Sequence, residues 1–209
     1  MKKILLLLML ALISGCAQNK TKGEVKIGNQ IWTSKNLDVE KFNNGDEIPE
    51  AKTNEEWNLA SINKTPAWSN FDNDKKNGKK YGKLYNWYAV TDPRGIAPKG
   101  WHVPSKLEWL VLLNYLGGAE LAGNKMKSSF GWDYSGNGNN ESNFLGLPGG
   151  FRFAKGDFAN IESLGNFWST TGYLKSMVEV LNLDNGSPEA TFFLPEKGFG
   201  MSIRCVKNN

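Results

Sequence analysis

Histidine and cysteine are nearly missing from this chain of 209 residues, which holds one His (His102) and two Cys (Cys16 and Cys205). Zinc, copper and haem centres of the usual kinds draw two or more ligands from these residue types, so such chemistry is not expected here. An apolar run long enough to cross a bilayer is missing too. The longest, Ile4 to Ile13, has ten residues, against about 20 for a spanning helix. Charge of one sign is in small excess: 25 basic and 21 acidic residues leave +4. The basic residues are scattered, which argues against nucleic acid as a partner. The densest cluster, Lys75-Lys76 with Lys79-Lys80 around Asn77-Gly78, reads as a solvated loop. No internal repeat runs through the chain.

What is present at the start is a processing signal. Met1-Lys2-Lys3 is a short positive segment, and the ten-residue apolar run after it suits the h-region of a signal peptide. Leu12-Ile13-Ser14-Gly15-Cys16 resembles the lipobox cut by lipoprotein signal peptidase. Residues 1–15 are therefore expected to be removed. Cys16 would become a lipid-carrying first residue, whose acyl chains partner the membrane. An ordinary secretory signal with an incidental Cys16 is the alternative. Ala17 stands where an aspartate would retain some lipoproteins at the inner membrane, so the outer membrane is favoured, with its face left open. Residues 16–23 read as a polar tether. Without Lys2 and Lys3 the charge falls from +4 to +2. With Cys16 spent on lipid, Cys205 has no disulfide partner.

The remaining residues, 24–207, suit one α+β domain with two or three short helices, antiparallel strands and long loops. Val25 to Trp32 reads as a hairpin around Gly28-Asn29. Asn43 to Asp46 and Asp92 to Gly95 read as turns. Thr53 and Glu56 have capping-box spacing, as do Ser105 and Glu108. The second pair opens a helix over 105–116, with an apolar stripe of Leu107, Leu110, Leu113 and Leu116 flanked by Trp109 and Leu112, ended by Gly117-Gly118. A further helix is expected over 119–127, and a short one through 84–90. Residues 61–80 look irregular, and Asn137 to Asn143 looks like a loop. Strands are expected at 151–153, 166–170, 177–183, 190–193 and 202–206, with Asn185-Gly186 as a hairpin turn.

Seven motifs in order carry a resemblance: Val25 to Trp32 with Lys35-Asn36-Leu37; Tyr81 to Val90; Gly95 to Ser105 with Glu108-Trp109; Asn140 to Phe144; Leu147 to Arg152; Phe167 to Thr171; and Ser202 to Val206. In this order they resemble the Fibrobacter succinogenes major paralogous domain, over about 24–207. Members of that family are typically exported, often as lipoproteins of Bacteroidetes and relatives. More distantly, Gly100 to Trp109 and Arg204-Cys205-Val206 look like segments of formylglycine-generating enzymes. That likeness implies a C-type-lectin-like fold, with terminal strands paired near the base and a second strand group carrying long loops. Its known chemistries need a cysteine pair with copper or a histidine cluster with iron. One Cys and one His cannot supply either.

The expected function is accordingly a non-enzymatic envelope module that binds glycan or protein through loops. The alternatives are a structural part of an envelope or fimbria-like assembly, and an enzyme of unknown class. Trp32, Trp87, Trp101, Trp109 and Trp168 fall in the motifs and are assigned to the core. Trp57, Trp68 and Trp132 lie in polar stretches and are the candidate ligand platforms, since indole faces stack on sugar rings. Glu141, in a Gly/Asn-rich loop, is the acid to test first. Cys205 reads as a buried small residue, and His102 as a hydrogen-bonding group at a helix start. No catalytic residue is assigned. Calcium is the one cofactor considered, with Asp72 and Asp74 as weak oxygen donors in no EF-hand spacing.

Overall fold

The computed structural model describes residues 23–208. The expected signal peptide, Cys16 and all but the last residue of the expected tether lie outside them. Gly28, with φ +59°, turns the chain between β1 (Glu24–Ile27) and β2 (Gln30–Thr33). A Cβ at Gly28 would stand 2.8 Å from the Tyr115 ring, so glycine is required for both its conformation and its size. Then follow α1 (Asn54–Asn63), β3 (Trp68–Ser69), a 3-10 turn (Phe71–Asn73), α2 (Lys75–Tyr81), β4 (Leu84–Tyr85) and α3 (Trp87–Val90). Next come β5 (Trp101–His102), α4 (Lys106–Tyr115), α5 (Ala119–Met126) and β6 (Gly149–Arg152). The chain continues through β7 (Phe158–Ile161), β8 (Leu164–Tyr173), β9 (Met177–Asp184), β10 (Ala190–Phe193) and β11 (Val206–Lys207).

Three sheets result. The first has the order β1-β2-β11-β5, so strands from both ends of the domain are neighbours. The second has the order β10-β9-β8-β6-β7, antiparallel except where β6 runs parallel to β8. The third is the pair β3-β4, with Trp68 opposite Tyr85. The mixture of helices and mainly antiparallel strands makes the domain α+β.

Both capping boxes form: Thr53 with Glu56 opens α1, and Ser105 with Glu108 opens α4. The buried face of α4 differs from the expected stripe. Trp109, Leu112, Leu113 and Leu116 face inward, whereas Leu107 is 72% exposed and Leu110 only half-buried. The large indole, not the count of leucines, sets which side of the helix faces the core. α2 is a second correction, because the lysine cluster is helical. Asp74 starts that helix by accepting the Lys76 N–H at 2.8 Å. Gly78 lies so close to Asn70 that a Cβ would stand 1.9 Å from its Oδ1. The 84–90 segment divides at Asn86 into a strand and a helical turn. β7 has no counterpart among the expected strands, and of the 202–206 candidate only Val206 lies in a ladder, which continues to Lys207.

Two principal cores fill the interior. One joins Trp32, Trp109, Leu112, Met126, Phe144 and Phe167 with β9 and β10. The other joins Phe42, Ile48, Trp68, Tyr85, Trp168 and Ile203 beneath the irregular segments 37–50 and 85–103. Among the described residues no helix is long and apolar enough to cross a membrane.

Candidate functional site

A cleft of about 400 Å³ opens between the 38–50 segment and α2. Its floor is Trp68, whose backbone N–H donates to the Pro49 carbonyl at 3.0 Å and whose indole Nε1 donates to the Ile48 carbonyl at 2.8 Å. Asp38, Glu40 and Glu50 stand on one side. Lys75 and Lys79, one helical turn apart on α2, stand on the other. Lys83 lies between. Its side chain is only 8% exposed, and its Nζ pairs with Asp38, lies 3.4 Å from Glu40 and sits 4.6 Å above the Trp68 ring. A smaller cleft of about 310 Å³, lined mainly by Pro49, Leu59, Ala60 and Pro66, shares Glu50. The arrangement sets cations and carboxylates around one indole floor. It suits a ligand carrying hydrogen-bonding groups of both polarities.

The tryptophans expected at the surface are buried. Trp57 is fully enclosed and its Nε1 donates to the Gly198 carbonyl at 3.0 Å. Trp132 donates from Nε1 to Ser128 Oγ at 3.0 Å. Trp68 reaches a cleft, but a lysine covers its ring. The indoles instead form a pattern: Arg152 lies over Trp57 at 4.7 Å, Lys83 over Trp68, and Lys127 over Trp132 at 5.3 Å. Trp87 and Trp101, assigned to the core from their motifs, are only partly buried. Polar neighbours in sequence tell where the flanking side chains go; the indole itself turns inward because it carries the most apolar area.

Glu141 is well exposed and lies 3.5 Å from Lys125, and its backbone N–H donates to Asn139 Oδ1. It adjoins neither cleft. Asp72 lies in the 3-10 turn at φ +52°, and Asp74 caps α2. Among the described residues no three His, Cys, Asp or Glu side chains gather to hold a metal ion. His102 Nε2 lies 2.6 Å from Glu108 Oε1 and its Nδ1 lies 2.7 Å from Asn208 Oδ1, at the start of α4. Burial works to raise the Glu108 carboxyl, but hydrogen bonds from the Ser105 backbone, His102 and the Ser105 hydroxyl outweigh it and hold it below the usual range. Cys205 is buried, and the loss of solvation pushes its thiol up to about 12.

Residues 25–207 match the family model described as the Fibrobacter succinogenes major domain. The chain belongs to that family. No curated protein and no solved structure matches it. In this Fibrobacter succinogenes major domain the seven motifs build the interior more than the cleft. Arg204 is fully buried and donates to Asn36 Oδ1 and to the carbonyls of Thr33, Phe144 and Leu145, all within 2.9 Å. Arg152 donates to the carbonyls of Ala51, Thr53 and Gly156. Lys127 donates to those of Asp184 and Ser187. Burial pulls the Arg204 guanidinium down to about 9 and that of Arg152 to about 10, so both carry their charge at neutral pH. Each ties an irregular segment to the sheets through neutral acceptors. Lys83 does the same through carboxylates, and so couples the motif Tyr81 to Val90 to the cleft. The spacing of Lys75 and Lys79 signalled a helix face, a signal that the Asn and Gly between them masked.

Proposed function

We propose that this domain is a non-enzymatic binding module of the cell envelope, held to a membrane, on the outer-membrane side of the sorting choice, by lipid on Cys16. It takes a glycan or a protein segment in the cleft above Trp68. The observation that carries this reading is the cleft itself, with Lys75 and Lys79 facing Asp38, Glu40 and Glu50 across a pinned indole. Its acids are engaged: Asp38 and Glu40 with Lys83, and Glu50 with Lys52 at 3.5 Å. Carboxylates so paired keep free oxygen lone pairs that can accept hydrogen bonds from a ligand.

A C-type-lectin-like scaffold is part of the same reading. Its support is the adjacency of the terminal strands, Val206 opposite Trp32, and a second sheet bordered by long loops. The lipid anchor rests on the sequence from Lys2 to Cys16.

The test is a glycan array and an envelope-protein pull-down with the soluble 24–209 fragment, beside Lys79→Ala and Glu50→Gln. A bound glycan or protein whose affinity falls about tenfold in either variant, at unchanged melting temperature, supports the cleft; tenfold corresponds to about 1.4 kcal/mol. Binding that both variants retain moves the site elsewhere. Turnover of any substrate overturns the non-enzymatic reading.

A further inference from the structure

The outer face of α4 is apolar where a helix of a soluble domain is ordinarily polar. Leu107, Val111 and Tyr115 are 72%, 53% and 65% exposed. They recur every fourth residue, so they form one stripe along the helix. Leu121 on α5, 55% exposed, extends it, since its side chain lies over Gly117 just beyond Tyr115. Four large apolar groups in one exposed stripe mark an interaction surface rather than scattered surface residues.

The stripe ends one strand length from the point where the described chain begins. Tyr115 packs against Gly28, at the turn of the first hairpin. Gly23 is five residues earlier, which is at most about 17 Å of strand. From Gly23 to Cys16 is seven residues, at most about 25 Å even fully extended. Gly28, and Tyr115 with it, thus lies at most about 42 Å of extended chain from a lipid on Cys16, which lets this side of the domain reach the bilayer. Tyr115 also brings the amphipathic ring that favours a membrane–water interface.

We propose that Leu107, Val111, Tyr115 and Leu121 form a membrane-resting face, which lays α4 on the bilayer surface that holds the lipid anchor. The inference rests on the lipid-anchor reading above. It adds an orientation, in which the domain lies on the membrane through α4 and does not swing freely from its tether. Shallow burial of such a stripe adds to an acyl anchor as a second signal.

The experiment uses the full lipidated chain in phosphatidylethanolamine–phosphatidylglycerol vesicles. Val111→Cys, and separately Lys155→Cys in the β6–β7 turn, carry an environment-sensitive fluorophore; buried Cys205 does not compete for the label. Leu121→Cys serves as a second stripe site if Val111→Cys folds poorly. Expected is a blue shift and several-fold stronger quenching by spin-labelled lipid at residue 111 than at 155. A chain that floats with the vesicles but shows equal or no quenching at the two sites overturns the resting face and leaves the anchor standing. Failure to float, with Cys16 unmodified by mass, overturns the anchor and the face together. A shift at residue 111 that follows protein density instead of lipid quencher identifies a contact between copies and overturns the proposal.

Discussion

The two cores are held by different means. Around Trp32 and Trp109 most side chains come from helices and strands whose backbone groups satisfy one another, while Phe144 and Trp132 come from the loop before β6. The rings there stack, Trp32 on Trp109 at 4.5 Å and Phe144 edge-on to both. Around Tyr85 and Trp168 the chain is irregular, and side chains with a polar tip catch its backbone. The Tyr85 hydroxyl accepts the Val39 N–H at 2.7 Å and donates to the Val39 carbonyl at 2.8 Å. Trp168 Nε1 donates to the Tyr85 carbonyl at 2.6 Å, and Asn86 binds Ala67 and Thr65. A segment without ladder bonds can be ordered when each buried polar group finds a side-chain partner. Tyr, Trp and Arg supply both the apolar body and the partner; Leu and Phe supply only the first.

The sharpest test of the first core is Trp109→Ala. It removes the ring that stacks on Trp32 and meets the edge of Phe144, and about 4 kcal/mol of stability should be lost in urea unfolding. Arg204→Met comes next. It keeps the volume but leaves the Phe144 and Leu145 carbonyls without donors, for a loss of about 3 kcal/mol with an unchanged urea slope. Tyr85→Phe removes one oxygen from the second core and should cost about 2 kcal/mol, since Val39 then has two unsatisfied backbone groups. A cost below about 0.5 kcal/mol would show that packing alone holds this core, as it holds the other, and the contrast would collapse.

The smallest expected effect lies where α4 begins. The folded Glu108 carboxyl is held below its unfolded value, so its contribution is complete above the ordinary carboxylate range near 4.3. That contribution is lost as pH falls through the lower folded value. Melting temperature should therefore drop on acidification in the native chain and drop less in Glu108→Gln. Equal slopes in the two would remove Glu108 from the acid response.

The same contrast explains what the sequence disclosed. The regular region was legible: both capping boxes, the Gly28 turn, the helix over α5 and the β9–β10 hairpin follow from local rules. The inward side of α4 was not legible, because four leucines at a spacing of three compete with one tryptophan whose larger apolar area decides the buried face. The irregular region was legible only as motifs. Nothing near Arg152 or Arg204 announces that a guanidinium will be buried among carbonyls, because its acceptors come from residues up to 171 positions away. Trp57, Trp68 and Trp132 were expected outside for the same reason: the cations that cover them are distant or unremarkable in sequence. Of the residues around the cleft the sequence singled out only Trp68, as an exposed platform, and the helix that carries Lys75 and Lys79 was masked by Asn77 and Gly78.

The place of β11 sets the order in which the domain can form. Val206 sits mid-sheet, with Trp32 on one side and His102 on the other. Until that residue is in place, β2 and β5 lack the strand that joins them. Closing the sheet joins partners separated by most of the domain, a high-contact-order step that is slow and entropically expensive. Late closure lengthens the time during which unpaired edges invite misassembly. Trimming the last strand should consequently show first as a slower refolding rate and a larger aggregated fraction, before any change in the helices at α4 and α5.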